Sequence, residues 1–139
     1  MPIVLVRRYC RADLRAHPDR LFAFGDNLDG RGLGGQAREA RGEPNAVGII
    51  TKLRPSMDDS AFLRDLDLPL ITVRWREAFQ RINWHLLQGG VVVWPVDGVG
   101  TGRAQLRTRA PALWRELRLF VAGMEATAEA FDRGLDRAK

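Results

Sequence analysis

The chain has 139 residues, of which 45% are hydrophobic and 28% charged, and its formal net charge at pH 7 is +5. A chain of this length suits one hydrophobic core. No apolar run approaches the roughly 20 residues that span a bilayer, and residues 1–10 lack the features of a signal peptide. We therefore expect a cytoplasmic protein with no membrane partner. Cys10 is the single cysteine, which excludes a disulfide framework within the chain, and we expect no structural metal.

Arginine supplies the net positive charge, because Lys52 and Lys139 are the only lysines. Such a balance favours anionic partners. Five arginines lie in or after the second glycine-rich segment described below, where they could steer a nucleic acid or a dinucleotide: Arg103, Arg107, Arg109, Arg115 and Arg118. The alternative interpretation is an ordinary solvated surface, which is the usual condition of charged helix faces.

Predicted strands and helices alternate along the chain. Short apolar runs predict strands at residues 2–6, 21–24, 46–51 and 91–94. Helical periodicity and capping residues predict helices at residues 11–16, 35–41, 57–66 and 71–87, and from Pro111 onward. Pro69 is expected to break the pattern before the fourth helix. This alternation implies a single three-layer α/β/α domain with a mainly parallel sheet.

The last part of the chain and the tryptophans complete the fold prediction. Residues 126–139 are rich in alanine and charge, so we expect a charged C-terminal helix or tail after a domain that spans residues 1–125. Trp75, Trp84 and Trp114 lie at helical spacing among apolar residues and are expected to pack in the core. Trp94 ends a predicted strand, where it either closes the core or contacts a base.

The most distinctive stretch is residues 21–37, with the sequence LFAFGDNLDGRGLGGQA. Its apolar run stops at Gly25, where we expect the backbone to turn out of the sheet. Gly32, Gly34 and Gly35 leave backbone N–H groups uncovered just where a helix is predicted to begin. N–H donors and a helix dipole would then both face an anion, for which a diphosphate is the natural candidate. A glycine-rich surface turn without a ligand is the alternative.

Two further strands should end at the same edge of the sheet. The strand at 46–51 leads to Thr51 and Lys52, and the strand at 91–94 leads into a second glycine segment, PVDGVGTGR, at residues 95–103. Ligands of open α/β sheets lie outside the carboxyl ends of the strands. Lysine, unlike arginine, can lose its proton when partly buried and act as a nucleophile or base. Lys52 is therefore a candidate catalytic group, with a solvated loop lysine as the alternative.

Together these segments resemble the macrodomains, and among them the lysine-dependent branch: the terminal ADP-ribose glycohydrolases and the antitoxin macrodomains that remove ADP-ribose from DNA. The resemblance covers roughly residues 21 to 120. It rests on Gly25-Asp26-Asn27 with the first glycine segment, on Ile50-Thr51-Lys52, and on residues 95–102, in the family's order and spacing. It implies an ADP-ribose site formed by Gly25, Asp26, Asn27, Gly32, Gly34, Gly35, Thr51, Gly98, Val99, Gly100, Thr101, Gly102 and Arg103.

The resemblance also implies roles for single residues. Lys52 would be catalytic, either as a neutral amine that attacks the anomeric carbon or as a cation that polarises the leaving atom. Asp26 would accept a hydrogen bond from the exocyclic amine of adenine, and Asn27 would approach the distal ribose. Some members carry an acidic residue where this chain has Gly102. Asp97, Asp26 or a water would then have to serve as the general acid. Nothing strand-like follows Met124, so we expect a smaller sheet than the family's.

The sequence thus predicts a protein that binds ADP-ribose and hydrolyses an ADP-ribosyl bond on a modified nucleic acid or protein, without a cofactor or metal. Lys52 and Asp97 are the predicted catalytic residues. One alternative is a non-catalytic sensor of ADP-ribose or a related nucleotide. Another is a basic nucleic-acid-binding module, whose binding would weaken steeply with salt and ignore free ADP-ribose.

Overall fold

The computed structural model describes residues 2–100 and 104–138 of the chain. Its four strands are β1 (Ile3–Val6), β2 (Arg20–Asn27), β3 (Ala46–Lys52) and β4 (Val91–Pro95). Its five α-helices are α1 (Arg11–Ala16), α2 (Ala37–Ala40), α3 (Leu68–Leu87), α4 (Leu106–Arg109) and α5 (Pro111–Ala138). None of the helices in these two described ranges is long and apolar enough to cross a membrane.

The four strands form one sheet in the order β1-β4-β2-β3, and every neighbouring pair is parallel. The predicted α/β fold with a parallel sheet is therefore confirmed. Because all strands run in the same direction, their carboxyl ends lie at one edge of the sheet. Asn27, Lys52 and the segment after Pro95 meet at that edge.

Both faces of the sheet are covered, which explains why the strands are almost continuously apolar. Successive side chains of a strand point to opposite faces. In β4, Val92 and Trp94 belong to the larger core cluster, which includes the apolar stripes of α3 and α5. Val93 belongs to a second cluster with Leu14 of α1 and Ala37 of α2. The predicted three layers are thus present.

Side chains of α3 cover the outer edge of β3. The indole nitrogen of Trp75 donates a hydrogen bond to the carbonyl of Ile50 at 2.8 Å. The guanidinium of Arg81 donates to the carbonyls of Ala46 at 3.0 Å and Pro44 at 2.7 Å. These bonds satisfy carbonyls that a further strand would otherwise pair with.

The tryptophans differ in their surroundings. Trp75 is fully buried, as predicted. Trp94 is buried and packs against Phe79, with ring centroids 6.1 Å apart, so it closes the core. The prediction for Trp84 was wrong, because its residue surface is 64% exposed on the outer side of α3. Trp114 is half-buried and packs against the core cluster.

Strand β2 is longer than predicted. The prediction that the backbone leaves the sheet at Gly25 was wrong, because Gly25 and Asp26 stay in parallel register with Ile49 and Ile50 of β3. A register shift follows between Asp26 and Asn27. The apolar run stops at Phe24, but pairing with β3 continues beyond it. A criterion based on side-chain polarity therefore ends the strand too early.

The helix predicted at residues 57–66 is absent. In its place are two single 3₁₀ turns, Asp59–Ala61 and Asp65–Asp67. Phe62 forms an isolated antiparallel bridge with Lys52, and Leu53 donates to the carbonyl of Ala61 at 2.8 Å. Three consecutive apolar residues, 61–63, are buried here. A helix would turn at least one of the three away from the core.

The start of α3 also differs from the prediction. Helix α3 begins at Leu68 and includes Pro69 in its first turn. N–H groups in the first turn make no hydrogen bond within the helix, so the missing N–H of a proline does no harm there. Helix α5 runs without a break to Ala138, and both Met124 and Ala128 on it are buried. Residues 126–138 therefore continue the helix that covers the sheet.

Candidate active-site cleft

A cleft of about 790 Å³ opens at the carboxyl edge of the sheet, within the size range of small-molecule sites. It brings together these sequence-predicted residues: Gly25, Asp26, Asn27, Gly32, Gly34, Gly35, Thr51, Lys52, Asp97, Gly98, Val99 and Gly100. Thr101, Gly102 and Arg103 lie outside the described residues. Lining residues that the sequence did not single out include Arg31, Leu33, Gln36, Arg41, Pro55, Ser56 and Met57. The described ranges hold no cluster of three or more His, Cys, Asp or Glu side chains suited to a metal ion.

The first glycine segment supplies unpartnered amide groups to this cleft. From residue 31 to residue 38, no backbone N–H group has a hydrogen-bond partner among the described residues. Gly32 and Gly35 adopt φ angles of +94° and +58°, which side-chain-bearing residues rarely adopt. Successive N–H groups beside left-handed residues form the concave arrangement that binds anions.

Helix α2 contributes less to anion binding than expected. The prediction of a helix over residues 35–41 was wrong in length, because α2 has only four residues, Ala37–Ala40. Gly35 lies before it in a left-handed conformation. One turn of helix has little macrodipole, since aligned peptide dipoles must add along the axis. The N–H groups of the loop, and not the helix dipole, are therefore the candidate anion-binding feature.

Arg41, directly after α2, was not predicted as a site residue. Its Nη2 lies 2.6 Å from Oδ1 of Asp26, and its Nε donates to the carbonyl of Gly32 at 2.9 Å. Nη2 also donates to the carbonyl of Arg31 at 3.3 Å. The guanidinium carbon lies 5.7 Å from the ring centre of Phe24. Asp26, predicted to face an adenine amine, is thus held by an ion pair within the protein.

Asn27 carries an acceptor without a partner. Its side-chain amide nitrogen donates to the carbonyl of Arg31 at 2.7 Å, and the residue is only 7% exposed. Its Oδ1 atom is buried and has no hydrogen-bond partner among the described residues. A buried carbonyl oxygen without a donor is unfavourable by about 1–3 kcal/mol. The strain of this unpaired oxygen therefore lies at the end of β2, where Asn27 lines the cleft.

Lys52 ends β3 at the cleft, where several groups surround its ammonium. Nζ donates to the carbonyl of Ser56, lies 3.6 Å from Sδ of Met57 and lies 4.6 Å from the ring centre of Phe62. A carbonyl oxygen and an aromatic face both attract a cation. Thr51 beside it is buried, and its hydroxyl donates to the carbonyl of Asp26 at 3.3 Å. This bond ties the ends of β2 and β3 together.

Residues 97–100 of the second glycine segment also line the cleft. Asp97 is exposed in a turn closed by a 2.9 Å bond from the amide of Gly98 to the carbonyl of Pro95. Gly100 has a φ of +81°, and a Cβ there would lie 3.4 Å from Cγ2 of Thr51. The backbone of this segment therefore lies against the end of β3.

Part of the predicted arginine surface is engaged within the protein. Arg109 pairs with Asp59 at 3.2 Å, and its guanidinium carbon lies 3.7 Å from the ring centre of Phe62. Arg107, Arg115 and Arg118 are exposed. Arg109 thus stabilises the 59–63 segment behind Lys52.

A parallel sheet with a cleft at its carboxyl edge, lined by residues of two glycine segments, defines an α/β protein with a candidate small-molecule site. The chain belongs to a family described as a family of unknown function (DUF7831), whose model matches residues 4–119. Comparison with curated proteins gives no match, and comparison with solved structures gives none either. The macrodomain resemblance therefore remains a prediction.

Proposed function

We propose that this protein binds ADP-ribose in the cleft and hydrolyses an ADP-ribosyl bond on a modified nucleic acid or protein. One observation carries the proposal: the cleft combines residues 31–37, whose seven backbone N–H groups have no hydrogen-bond partner among the described residues, with a strand-end lysine. The amides suit a diphosphate. The lysine ammonium can stabilise the negative charge that develops on the departing atom when the ADP-ribosyl bond breaks.

In this proposal the diphosphate lies between the two glycine segments. The amides of residues 31–37 bind it from one side, and the segment containing Gly98 and Gly100 encloses it from the other. Asn27, at the end of β2, lies beside the distal ribose in this scheme. Backbone amides hold the diphosphate, so the scheme uses no resident metal or cofactor.

The bond between the anomeric carbon and the modified group breaks with its electron pair on the departing atom. Lys52 Nζ contacts the Ser56 carbonyl and the Phe62 ring, and we assign it the role of a cation that stabilises that atom. Water then adds to the anomeric carbon. Asp97, a carboxyl group that lines the cleft, is assigned the transfer of the proton that the water loses to the departing atom.

Lys52→Ala and Lys52→Arg test this proposal against the wild type, with Lys139→Ala as the control that removes the other lysine. Release of ADP-ribose is measured from ADP-ribosylated thymidine, guanosine, phosphate-end and glutamate substrates, and binding of ADP-ribose by calorimetry. We expect Lys52→Ala to lower turnover about 100-fold or more, while ADP-ribose affinity changes less than about tenfold. Lys52→Arg should restore part of the turnover, because arginine keeps the charge.

Each other outcome points to a different conclusion. Tight binding of ADP-ribose with no release from any substrate would show that the protein is a non-catalytic sensor and not an enzyme. Undiminished release by Lys52→Ala would show that the chemistry belongs to another residue. A wild type that binds nucleic acid but not ADP-ribose would favour the basic binding module.

A further inference from the structure

We propose that Arg41 is a positioning residue that holds the first glycine segment in its ligand-binding conformation. The proposal rests on the function proposed above, and it assigns Asp26 a place in the same unit. No ligand contact is required of either side chain.

The guanidinium of Arg41 binds two consecutive carbonyls of the segment. Nε donates to Gly32 at 2.9 Å, and Nη2 donates to Arg31 at 3.3 Å. In a trans peptide the carbonyl and the following N–H point in opposite directions. Holding these two carbonyls therefore turns the N–H groups of Gly32 and Leu33 away from the guanidinium. Both belong to the unpartnered run at residues 31–38.

Arg41 is itself fixed by Asp26. The two side chains are 19% and 14% exposed, and the Nη2 to Oδ1 distance is 2.6 Å. Oδ1 of Asp26 also accepts the amide of Asn27 at 2.7 Å. A single oxygen thus accepts hydrogen bonds from two donors of the protein. The pairing connects the end of β2 to the loop through a partly desolvated ion pair, and such pairs are sensitive to loss of either partner.

Gly48 on β3 provides the space for Asp26. A Cβ at position 48 would lie 2.6 Å from Oδ2 of Asp26 and 2.9 Å from Cβ of Asp26. The Asp26 side chain therefore packs against the backbone of Gly48. Any side chain there would displace Asp26 and, with it, Arg41. Gly48, Asp26 and Arg41 therefore form one mechanical unit, which we call the loop clamp.

The clamp is tested with Arg41→Met, Arg41→Lys and Gly48→Ala. Gly123→Ala is the glycine control, because a Cβ there meets nothing within 4 Å. Arg74→Met on the exposed surface of α3 is the arginine control. Calorimetry measures the affinity of each protein for ADP-ribose, for inorganic pyrophosphate and for adenosine, and urea denaturation verifies that each variant is folded.

We expect Arg41→Met and Gly48→Ala to weaken binding of ADP-ribose and pyrophosphate by at least about tenfold, with adenosine unaffected. Arg41→Lys should lose nearly as much as Arg41→Met, because an ammonium cannot reproduce the planar fork that reaches both carbonyls and Asp26. In turnover assays KM should rise while kcat stays close to that of the wild type. If Arg41→Lys binds ADP-ribose with the affinity of the wild type, the clamp proposal is wrong, and an ion pair with Asp26 is all that position 41 needs to provide.

A separate measurement keeps the clamp testable if the proposed function fails. If the wild type binds neither ADP-ribose nor pyrophosphate, that function is rejected, and ¹⁵N relaxation of the free protein then decides about the clamp. Order parameters of residues 31–35 should lie near 0.85 in the wild type and fall below about 0.6 in Arg41→Met. Equal order parameters in the two proteins would overturn the clamp regardless of any ligand.

Discussion

Replacing Gly32 by alanine measures how strongly the first glycine segment is preorganised. Gly32 has a φ of +94°, and a Cβ there would lie 2.7 Å from Cβ of Pro55. A non-glycine residue held at such a φ is unfavourable by roughly 1–3 kcal/mol. The contact with Pro55 adds about 1 kcal/mol or more, because the proline ring cannot rotate away. The bound conformation should therefore be destabilised by at least about 2 kcal/mol, which corresponds to roughly 30-fold in affinity.

The free variant can respond in two ways, and two assays capture both. If the loop keeps its conformation, the strain lowers the free energy of unfolding measured in urea. If the loop relaxes, the strain appears as weaker ADP-ribose binding in calorimetry. The sum of the two losses should be at least about 2 kcal/mol, since both paths connect the unfolded chain to the same bound state.

Gly30→Ala is the matched control in the same loop. Gly30 has a φ of +66°, but a Cβ there meets nothing within 4 Å. Its summed loss should be only about 1–2 kcal/mol, the backbone contribution alone. If Gly32→Ala and Gly30→Ala lose the same amount, the packing of the loop on Pro55 has no energetic role. If Gly32→Ala loses nothing in either assay, the preorganisation argument is wrong.

Two further predictions concern stability. Trp75→Phe removes the hydrogen bond to the Ile50 carbonyl and part of a fully buried side chain, so the free energy of unfolding in urea should fall by about 2–4 kcal/mol; a fall below about 1 kcal/mol would contradict this account. Burial raises the pKa of Tyr9 above its ordinary 10.0, so the neutral phenol is favoured in the fold and stability should decline as pH rises beyond about 10. Tyr9→Phe cannot ionise there, and its stability measured from pH 9 to 11 should decline less steeply than that of the wild type.

The sheet was largely predictable because its strands are short apolar runs buried on both faces. Each predicted strand corresponds to an observed one, and β4 is only one residue longer than the run at 91–94. Local patterns misled where tertiary contacts decide. Residues 57–66 satisfy helix-start rules, but the bridge between Phe62 and Lys52 and the burial of residues 61–63 prevent a continuous helix.

The site was predictable to the extent that it follows from parallel strands. Their common direction brings Asn27, Lys52 and the segment containing Gly98 to one edge, whatever their separation in sequence. Arg41 gave no such signal, because its importance depends on Asp26, 15 residues earlier, and on two carbonyls. The contacts of an arginine side chain depend on tertiary packing, which spacing along the chain does not encode.

The two outermost strands of the sheet, β1 and β3, differ in how open they are to pairing with a strand of another molecule. Trp75 and Arg81 already occupy carbonyls along β3, so a foreign strand would have to displace them. β1, at the opposite edge, has no second strand beside it among the described residues, and its Leu5 is 60% exposed. We expect partially unfolded molecules to associate through β1 first. Pro2 before it and the charged pair Arg7-Arg8 after it limit the pairing segment to four residues, shorter than the six or seven that stack into stable fibrils.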